Sequence, residues 1–472
     1  MDTDAVMDST VMFKTSQGLD LQATVLRLTR FQAAFEICGP VILRASEVLQ
    51  DFKIFARDHP VYCGRAIVSE LVNTGTALIC EAALQDDWVD VDFTALASQN
   101  GELRSGFDRF LQQWQKIYKI SPEYKVVIAD MQTFLTDLRL WLEQVELGIR
   151  SLPSADRARA ELDAVQQLQL AVSPALLFFF EKFDVACRNI PPELQPAHRA
   201  YVKRQLHPLV LCAPFMYRTF QKPLGYAGDY EMVNMMTRDP REGASVFAKI
   251  LNTFFLETAP VIAHRNRIVE LEKVLRDEVL RVAQQGRPAR IFNLGCGPAR
   301  EIQKFVAGSE LSNRAKFTLL DFNEETLAYT KGVLNNLIEQ HQRATTVELI
   351  KRSVVQVLKE AAKPTSSLIV ANYDLVYCAG LFDYLPDRVC EQLMNAFYRM
   401  LAPNGLLLVT NVDEINPSRN WMEYSVDWHL IYRNHNKMKK LTPEGAPEDS
   451  CRIRSDESSV NIFFETRKAA HA

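Results

Sequence analysis

The residues best suited to chemistry lie in Asn293-Leu294-Gly295-Cys296-Gly297-Pro298-Ala299-Arg300-Glu301, directly after the apolar run Ile291-Phe292. An apolar strand, a turn with two glycines and a helix start, in that order, let backbone N–H groups approach a ligand closely. The first helical turn leaves further donors unpaired. Taken alone, two glycines serve equally well as a tight strand-to-helix connection. A second apolar run, Phe317-Thr318-Leu319-Leu320, ends in Asp321. Dinucleotide-type folds place an acid about 20 residues after the glycines, where it accepts both hydroxyls of a ribose. Asp321 also reads as the N-cap of a helix opening at Phe322-Asn323-Glu324-Glu325. The two motifs together point to a nucleoside-type ligand. Cys296 fits the turn as a small residue better than as a nucleophile.

These motifs need a sheet to hold them. Thr346 to Lys351 reads as a third strand, leading to Arg352-Ser353-Val354-Val355, and Tyr373 to Leu385 as a fourth strand opening into a loop. A helix from Arg388 to Leu401 follows, then the turn Ala402-Pro403-Asn404-Gly405, a strand from Leu406 to Asn411 and a last strand from Val460 to Thr466. The Pro/Glu/Gly/Ser stretch from Leu441 to Asp456 reads as a loop. Strands alternating with helices predict a parallel sheet covered on both faces, with ligands outside the strand C-termini.

Upstream the pattern changes twice. Residues 1–95 cluster like strands, with candidates at Thr24 to Leu28, Ala33 to Ile37, Ala66 to Leu71 and Thr76 to Ala82 and a turn at Asn73-Thr74-Gly75, as in a small barrel or sandwich. Residues 96–284 follow helical periodicity, clearest at Phe134, Leu138, Trp141, Leu142, Val145 and Ile149. Ala155 to Val172 and Val246 to Ala259 read likewise, and Pro191-Pro192 interrupts the series. Within this region Lys222-Pro223-Leu224-Gly225-Tyr226-Ala227-Gly228-Asp229-Tyr230-Glu231 reads either as a ligand-clasping loop or as a surface turn with packed tyrosines. Its position before the glycine motif favours a loop folded over the open edge of the sheet. The third division is residues 285–472.

Composition narrows the classes. A chain of 472 residues exceeds one ordinary core and predicts two or three domains. A net charge of −4 carries no global nucleic-acid footprint. The first twenty residues lack the basic start and apolar run of a signal peptide, which predicts a cytoplasmic protein. The longest apolar run, Pro174 to Phe180, is too short to span a membrane and reads as a core helix or as a wall of an apolar substrate pocket. Nine cysteines without CxxC or Cys/His ligand spacing predict reduced thiols and no metal site.

The Gly-x-Gly turn, Asp321, the Tyr373-to-Leu385 segment and the Pro-Asn-Gly turn before a strand together resemble class I S-adenosylmethionine-dependent methyltransferases. The resemblance implies a Rossmann-like α/β sheet at the C-terminus, preceded by a mainly helical region and a small N-terminal β module. It implies S-adenosylmethionine as cofactor, with Asn293, Gly295, Cys296 and Gly297 at the methionine moiety, Asp321 and Phe322 at the ribose, Ser353 and Val354 at the adenine, and Tyr377 and Ala379 facing the sulfonium. Asn293 and Ser353 stand where the family often has acids. A narrower resemblance, carried by Gly225 to Tyr230, Asn293 to Glu301, Asn416-Pro417-Ser418-Arg419, Trp421 to Tyr424 and Asp427 to Arg433, is to bacterial synthases of 3-hydroxy fatty acid methyl esters, which make quorum-sensing signals such as 3-hydroxypalmitate methyl ester. The N-terminal module faintly resembles the PilZ family. Arg27 and Arg30 are spaced differently from that family's arginines, and Glu70 to Gly75 departs from its turn, so a dimerisation or partner-docking role is expected in place of nucleotide binding.

A 3-hydroxy fatty acid or related acyl substrate is already ionised at neutral pH and needs no general base, only in-line placement and exclusion of water. Tyr226, Tyr230, His429, Tyr432 and Arg433 are the candidates to position it, with Trp421, Trp428 and Phe382 as apolar walls. Each aromatic reads equally well as packing. His429 would become a base were the acceptor a hydroxyl or an amine.

Overall fold

The computed structural model describes residues 9–39, 41–56, 59–73, 77–85 and 120–470. The expected turn at Thr74-Gly75 and the junction near residue 95 lie outside them.

Strands β1 (Ser9–Lys14), β2 (Asp20–Leu28), β3 (Gln32–Cys38), β4 (Val48–Ala56), β5 (His59–Asn73) and β6 (Ala77–Leu84) close into a barrel in the order β1-β2-β3-β6-β5-β4. Every neighbouring pair is antiparallel. Alternate side chains point inward. Phe13, Phe35 and Phe52 meet at ring-centroid distances of 5.3–5.8 Å. Strands β1 and β4 go beyond the four read from sequence. In β4 the register slips between Leu49 and Phe52, where Asp51 has φ +48°, and that bulge breaks the period-two pattern.

Among the described residues, seven α-helices follow: α1 (Pro122–Ser151), α2 (Ser154–Arg188), α3 (Gln195–Val210), α4 (Pro214–Gln221), α5 (Tyr230–Thr237), α6 (Val246–Leu256) and α7 (Ala259–Ala283). Pro174 lies inside α2, and the run that reads as a core helix is buried on one side only, with Leu176 inside while Leu177 and Phe178 are exposed. Helix α6 is buried at every position except Lys249. The core of this region also takes in Trp421, Met422, Tyr424, Val426 and Trp428, so the C-terminal part of the chain contributes to it. No single helix among the described residues is long and apolar enough to cross a membrane.

The rest of the chain forms a seven-stranded sheet from β7 (Ala289–Leu294), β8 (Ala315–Asp321), β9 (Thr346–Lys351), β10 (Tyr373–Cys378), β11 (Leu401–Val412), β12 (Cys451–Ser455) and β13 (Asn461–Arg467), in the order β12-β13-β11-β10-β7-β8-β9. Strands β7 to β11 pair in parallel, and β13 runs antiparallel to both neighbours. The helices between are α8 (Arg300–Gly308), α9 (Glu324–Gln340), α10 (Val354–Ala361), α11 (Ser367–Val370), α12 (Asp387–Met400), α13 (Arg419–Ser425) and α14 (His435–Lys440). Strand order reverses between β7 and β10, which opens a crevice at their C-terminal ends. Two local expectations are corrected. The stretch read as a loop contains β12, because Cys451 to Ser455 pairs edge to edge with β13. The Pro-Asn-Gly turn lies inside β11, where the register skips between Tyr373 and Leu375 and Asn404 takes φ +65°.

Candidate functional site

The crevice is built from the glycine turn upward. Gly295 and Cys296 both donate their amides to Leu320 O, at 2.8 and 3.0 Å, which ties the turn to the end of β8. Gly297 has φ +51°, a left-handed conformation that disfavours a side chain. No atom stands within 4 Å of where its Cβ would be, so the turn faces open space. Thr330 on α9 holds the Gly297 carbonyl at 2.8 Å.

Asp321, at the tip of β8, is 6 % exposed and accepts from Gly297 N at 3.2 Å and Asn323 N at 3.0 Å. Burial raises its pKa, while those two amides and the nearby Arg44 pull it back. Asp321 does not cap α9; Asn323 does so, accepting from Thr326 N. Asn293 is buried, and its Oδ1 has no hydrogen-bond partner among the described residues.

Four residues that the sequence reading left out complete this lining. Glu301, in the first turn of α8, is buried and accepts from the Tyr377 hydroxyl at 2.7 Å; its pKa is raised by burial. Arg267 comes from α7 and is 9 % exposed. It bonds His264 Nδ1 at 2.7 Å and has no carboxylate within salt-bridge distance among the described residues. Burial, then the guanidinium, push the His264 pKa far down, so that ring is neutral. Gly380 keeps Arg267 in place, because a Cβ there would come within 2.9 Å of Nη2. Arg44 reaches in from the loop between β3 and β4 and lies over the Phe322 ring at 3.9 Å. The signal for α7 was weak, since Arg267 and His264 sit in a plain amphipathic helix, and Arg44 is distant in sequence from every other member.

The loop from Lys222 to Asp229 covers the crevice. Asp229 caps α5 through Met232 N at 2.8 Å and is held bidentately by Arg218. Gly225 O accepts from Val48 N of the barrel at 2.8 Å. Tyr226 lies 5.1 Å from Phe322 and is half-buried, and burial keeps its hydroxyl protonated. Tyr230 donates to Glu325 at 2.8 Å and stacks on Tyr329, with its pKa raised to about 12 by burial and that carboxylate. The free space is about 180 Å³, below the roughly 300 Å³ at which ligand pockets begin. Arg44 and Tyr226 are among the residues that line it.

Asn293, Gly295, Cys296, Gly297, Asp321, Phe322, Val354, Ala379, Tyr226 and Tyr230 therefore line one crevice. Ser353 lies at its edge and caps α10 reciprocally with Gln356. Tyr377 stands behind Glu301. The remaining candidates are elsewhere. Arg433 is buried in a cage of Asp387, Asn411 Oδ1 and the Phe382 and Leu385 carbonyls. His429 pairs through its backbone with Ser46 of the barrel, and burial drives its ring pKa far down. Tyr432 packs beneath Arg419 at 4.6 Å. Phe382 is a core residue.

Residues 287–453 match the family model described as a methyltransferase domain. The C-terminal α/β part is a methyltransferase domain. No curated protein matches the chain. Among solved structures the chain is similar to a "possible exported protein" from Bordetella parapertussis (18 % identity, 64 % of this chain and 97 % of that one, TM-score 0.41). It is also similar to magnesium protoporphyrin IX methyltransferase from Synechocystis PCC 6803 with bound S-adenosylmethionine (11 %, 44 % and 84 %, TM-score 0.28). A third is the N-methyltransferase NodS from Bradyrhizobium japonicum WM9 in complex with S-adenosylhomocysteine (12 %, 53 % and 98 %, TM-score 0.30). The crevice residues fit the chemistry of the S-adenosylmethionine expected from the sequence. The partnerless Asn293 oxygen, the open face of Gly297 and the acid at Asp321 all front the same crevice.

Proposed function

We propose that the protein is a cytoplasmic carboxyl O-methyltransferase that esterifies a 3-hydroxy fatty acid and releases a diffusible methyl ester of the quorum-sensing type. The observation that carries this reading is the state of the bases at the crevice. His264 Nδ1 is engaged by Arg267, Glu301 by the Tyr377 hydroxyl, Asp321 by two amides and Asp383 Oδ1 by Val412 N. A hydroxyl or amine acceptor would need a base, and the crevice's imidazole is not free to serve: Arg267 holds the Nδ1 lone pair of His264 and the ring's other nitrogen carries the proton. A carboxylate needs none.

S-adenosylmethionine supplies an electrophilic methyl group on a sulfonium. The chain's own residues would do the rest by placement. Asp321 would accept the ribose hydroxyls, with Phe322 and Val354 beside the base. The methionine end is a zwitterion, and Glu301 and Arg267 offer one charge of each sign on the same wall; Asn293 adds a neutral acceptor. Tyr226, kept protonated by burial, would donate to the acceptor carboxylate from the covering loop and help exclude water. Arg433, His429 and Tyr432 would hold the fold around this site. The barrel, read as a PilZ-like module that has lost its ligand groups, would act by docking: Arg44 to Val48 lie against Tyr384, Asp427, His429 and Gly225 of the same chain.

The test is mass spectrometry of lipid extracts after incubating the purified protein with S-adenosylmethionine and a series of 3-hydroxy fatty acids. Methyl esters are expected, peaking at one chain length. Cofactor binding without ester from any acid would sink the carboxyl assignment.

A further inference from the structure

A second cavity, of about 640 Å³, lies between α2, α6 and α13, within the range of small-molecule sites. Leu177 and Phe180 of α2, Phe254 of α6, Trp421 of α13 and Val426 are among its walls. Pro260, Met422 and Trp428 line both this cavity and the cofactor crevice, so the two spaces meet at these residues. The Trp428 indole donates to the Tyr384 hydroxyl at 3.0 Å, and Tyr384 is itself a crevice residue, so this junction is tied to the methyl-transfer side. At the outer end Leu170 is 82 % exposed and Leu177 53 % exposed.

From this geometry we infer that the cavity holds the apolar tail of the methyl acceptor, and that its depth sets the chain length the enzyme accepts. The inference deepens the carboxyl-methylation reading and rests on it for the identity of the head group. Its physical content is independent of turnover. Each buried methylene is worth about 0.8 kcal/mol, so affinity rises roughly fourfold per carbon until the cavity is full and then levels. Ser173 is half-buried in the wall, away from the cofactor crevice, and a larger side chain there would shorten the space.

The experiment is calorimetric binding of straight-chain acids of eight to sixteen carbons, below their micelle concentrations, to the full chain loaded with S-adenosylhomocysteine. Wild type, Ser173→Phe and Leu177→Glu are compared. The rise per methylene is expected in wild type. Ser173→Phe should level at a shorter acid. Leu177→Glu, on an exposed position that spares the packing, should weaken the longest acids most, and S-adenosylhomocysteine affinity should be the same in all three proteins. A profile flat with chain length in wild type, or identical in all three proteins, would overturn the tail site. Should binding follow the expected pattern while no ester forms, the carboxyl assignment fails alone and the tail site stands.

Discussion

The Arg44 guanidinium, carried by the N-terminal barrel, lies 3.9 Å from the centre of the Phe322 ring, one residue beyond the carboxylate of Asp321. The barrel thus supplies a cation to a site otherwise built from the sheet, from α7 and from the segment Tyr226 to Tyr230. Burial raises the Asp321 pKa, and Arg44 with two amides opposes that. Only the ionised carboxylate accepts both ribose hydroxyls, so cofactor affinity should hold above the folded pKa and fall as pH drops through it. Arg44→Ala should move that fall to higher pH, because the charged form loses its compensating cation. Calorimetric titration of S-adenosylmethionine across acidic pH checks this, and superimposable profiles would refute the coupling. Asp321→Ala should cost about 1–3 kcal/mol of binding at neutral pH.

Gly297 gives a steric test with little interference from folding. The space where its Cβ would sit is open, with no atom within 4 Å beyond its chain neighbours, and the positive φ costs about 1–2 kcal/mol. Gly297→Val should fold with a lowered melting temperature and lose detectable S-adenosylmethionine binding, because the isopropyl group occupies ligand space. Near-native affinity in calorimetry would reduce the glycine turn to a connection.

The parts of this fold that were legible in the sequence were those written in local pattern. The strands at Thr346 to Lys351 and Tyr373 to Cys378 match the structure because unbroken apolar or alternating runs end at clear turn signals. β4 was hidden by its bulge at Asp51, and β12 by polar composition that only pairing with β13 explains. In the site the same division holds. Gly295, Gly297 and Asp321 announce themselves by spacing, whereas Arg44 and Arg267 reach the crevice through tertiary packing of a barrel loop and a helix. Arg433 misled for the converse reason, since its motif looked chemical and its contacts are structural.

Those contacts make Arg433 a test of stability. Its guanidinium, 1 % exposed, satisfies the carbonyls of Phe382 and Leu385 and the Asn411 side chain at 2.6–2.8 Å. Arg433→Met would leave those buried acceptors unpaired and should lower unfolding free energy by about 2–3 kcal/mol. Chemical denaturation measures this. At a temperature where the variant is folded, its KM for the acid should equal that of wild type. A raised KM with unchanged stability would return Arg433 to the substrate.

Arg267 is the sharpest case, because a buried guanidinium without a carboxylate partner is costly unless a ligand supplies the negative charge. Its neighbours fix where that charge belongs. His264 bonds it, the bare Gly380 leaves room for it, and Glu301 on the same wall offers the opposite charge for an ammonium group. Arg267→Gln keeps much of the volume and removes the charge, and should weaken S-adenosylmethionine by about 1.5–3 kcal/mol, the worth of hydrogen bonds to a charged group. Gly380→Ala should produce a loss of the same kind without touching the arginine, since the new methyl would force the guanidinium aside. Both variants should raise KM for the cofactor more than KM for the acid. An unchanged cofactor affinity, with the loss falling on the acid alone, would mean that Arg267 meets the acceptor carboxylate and that the methionine end is held by other groups.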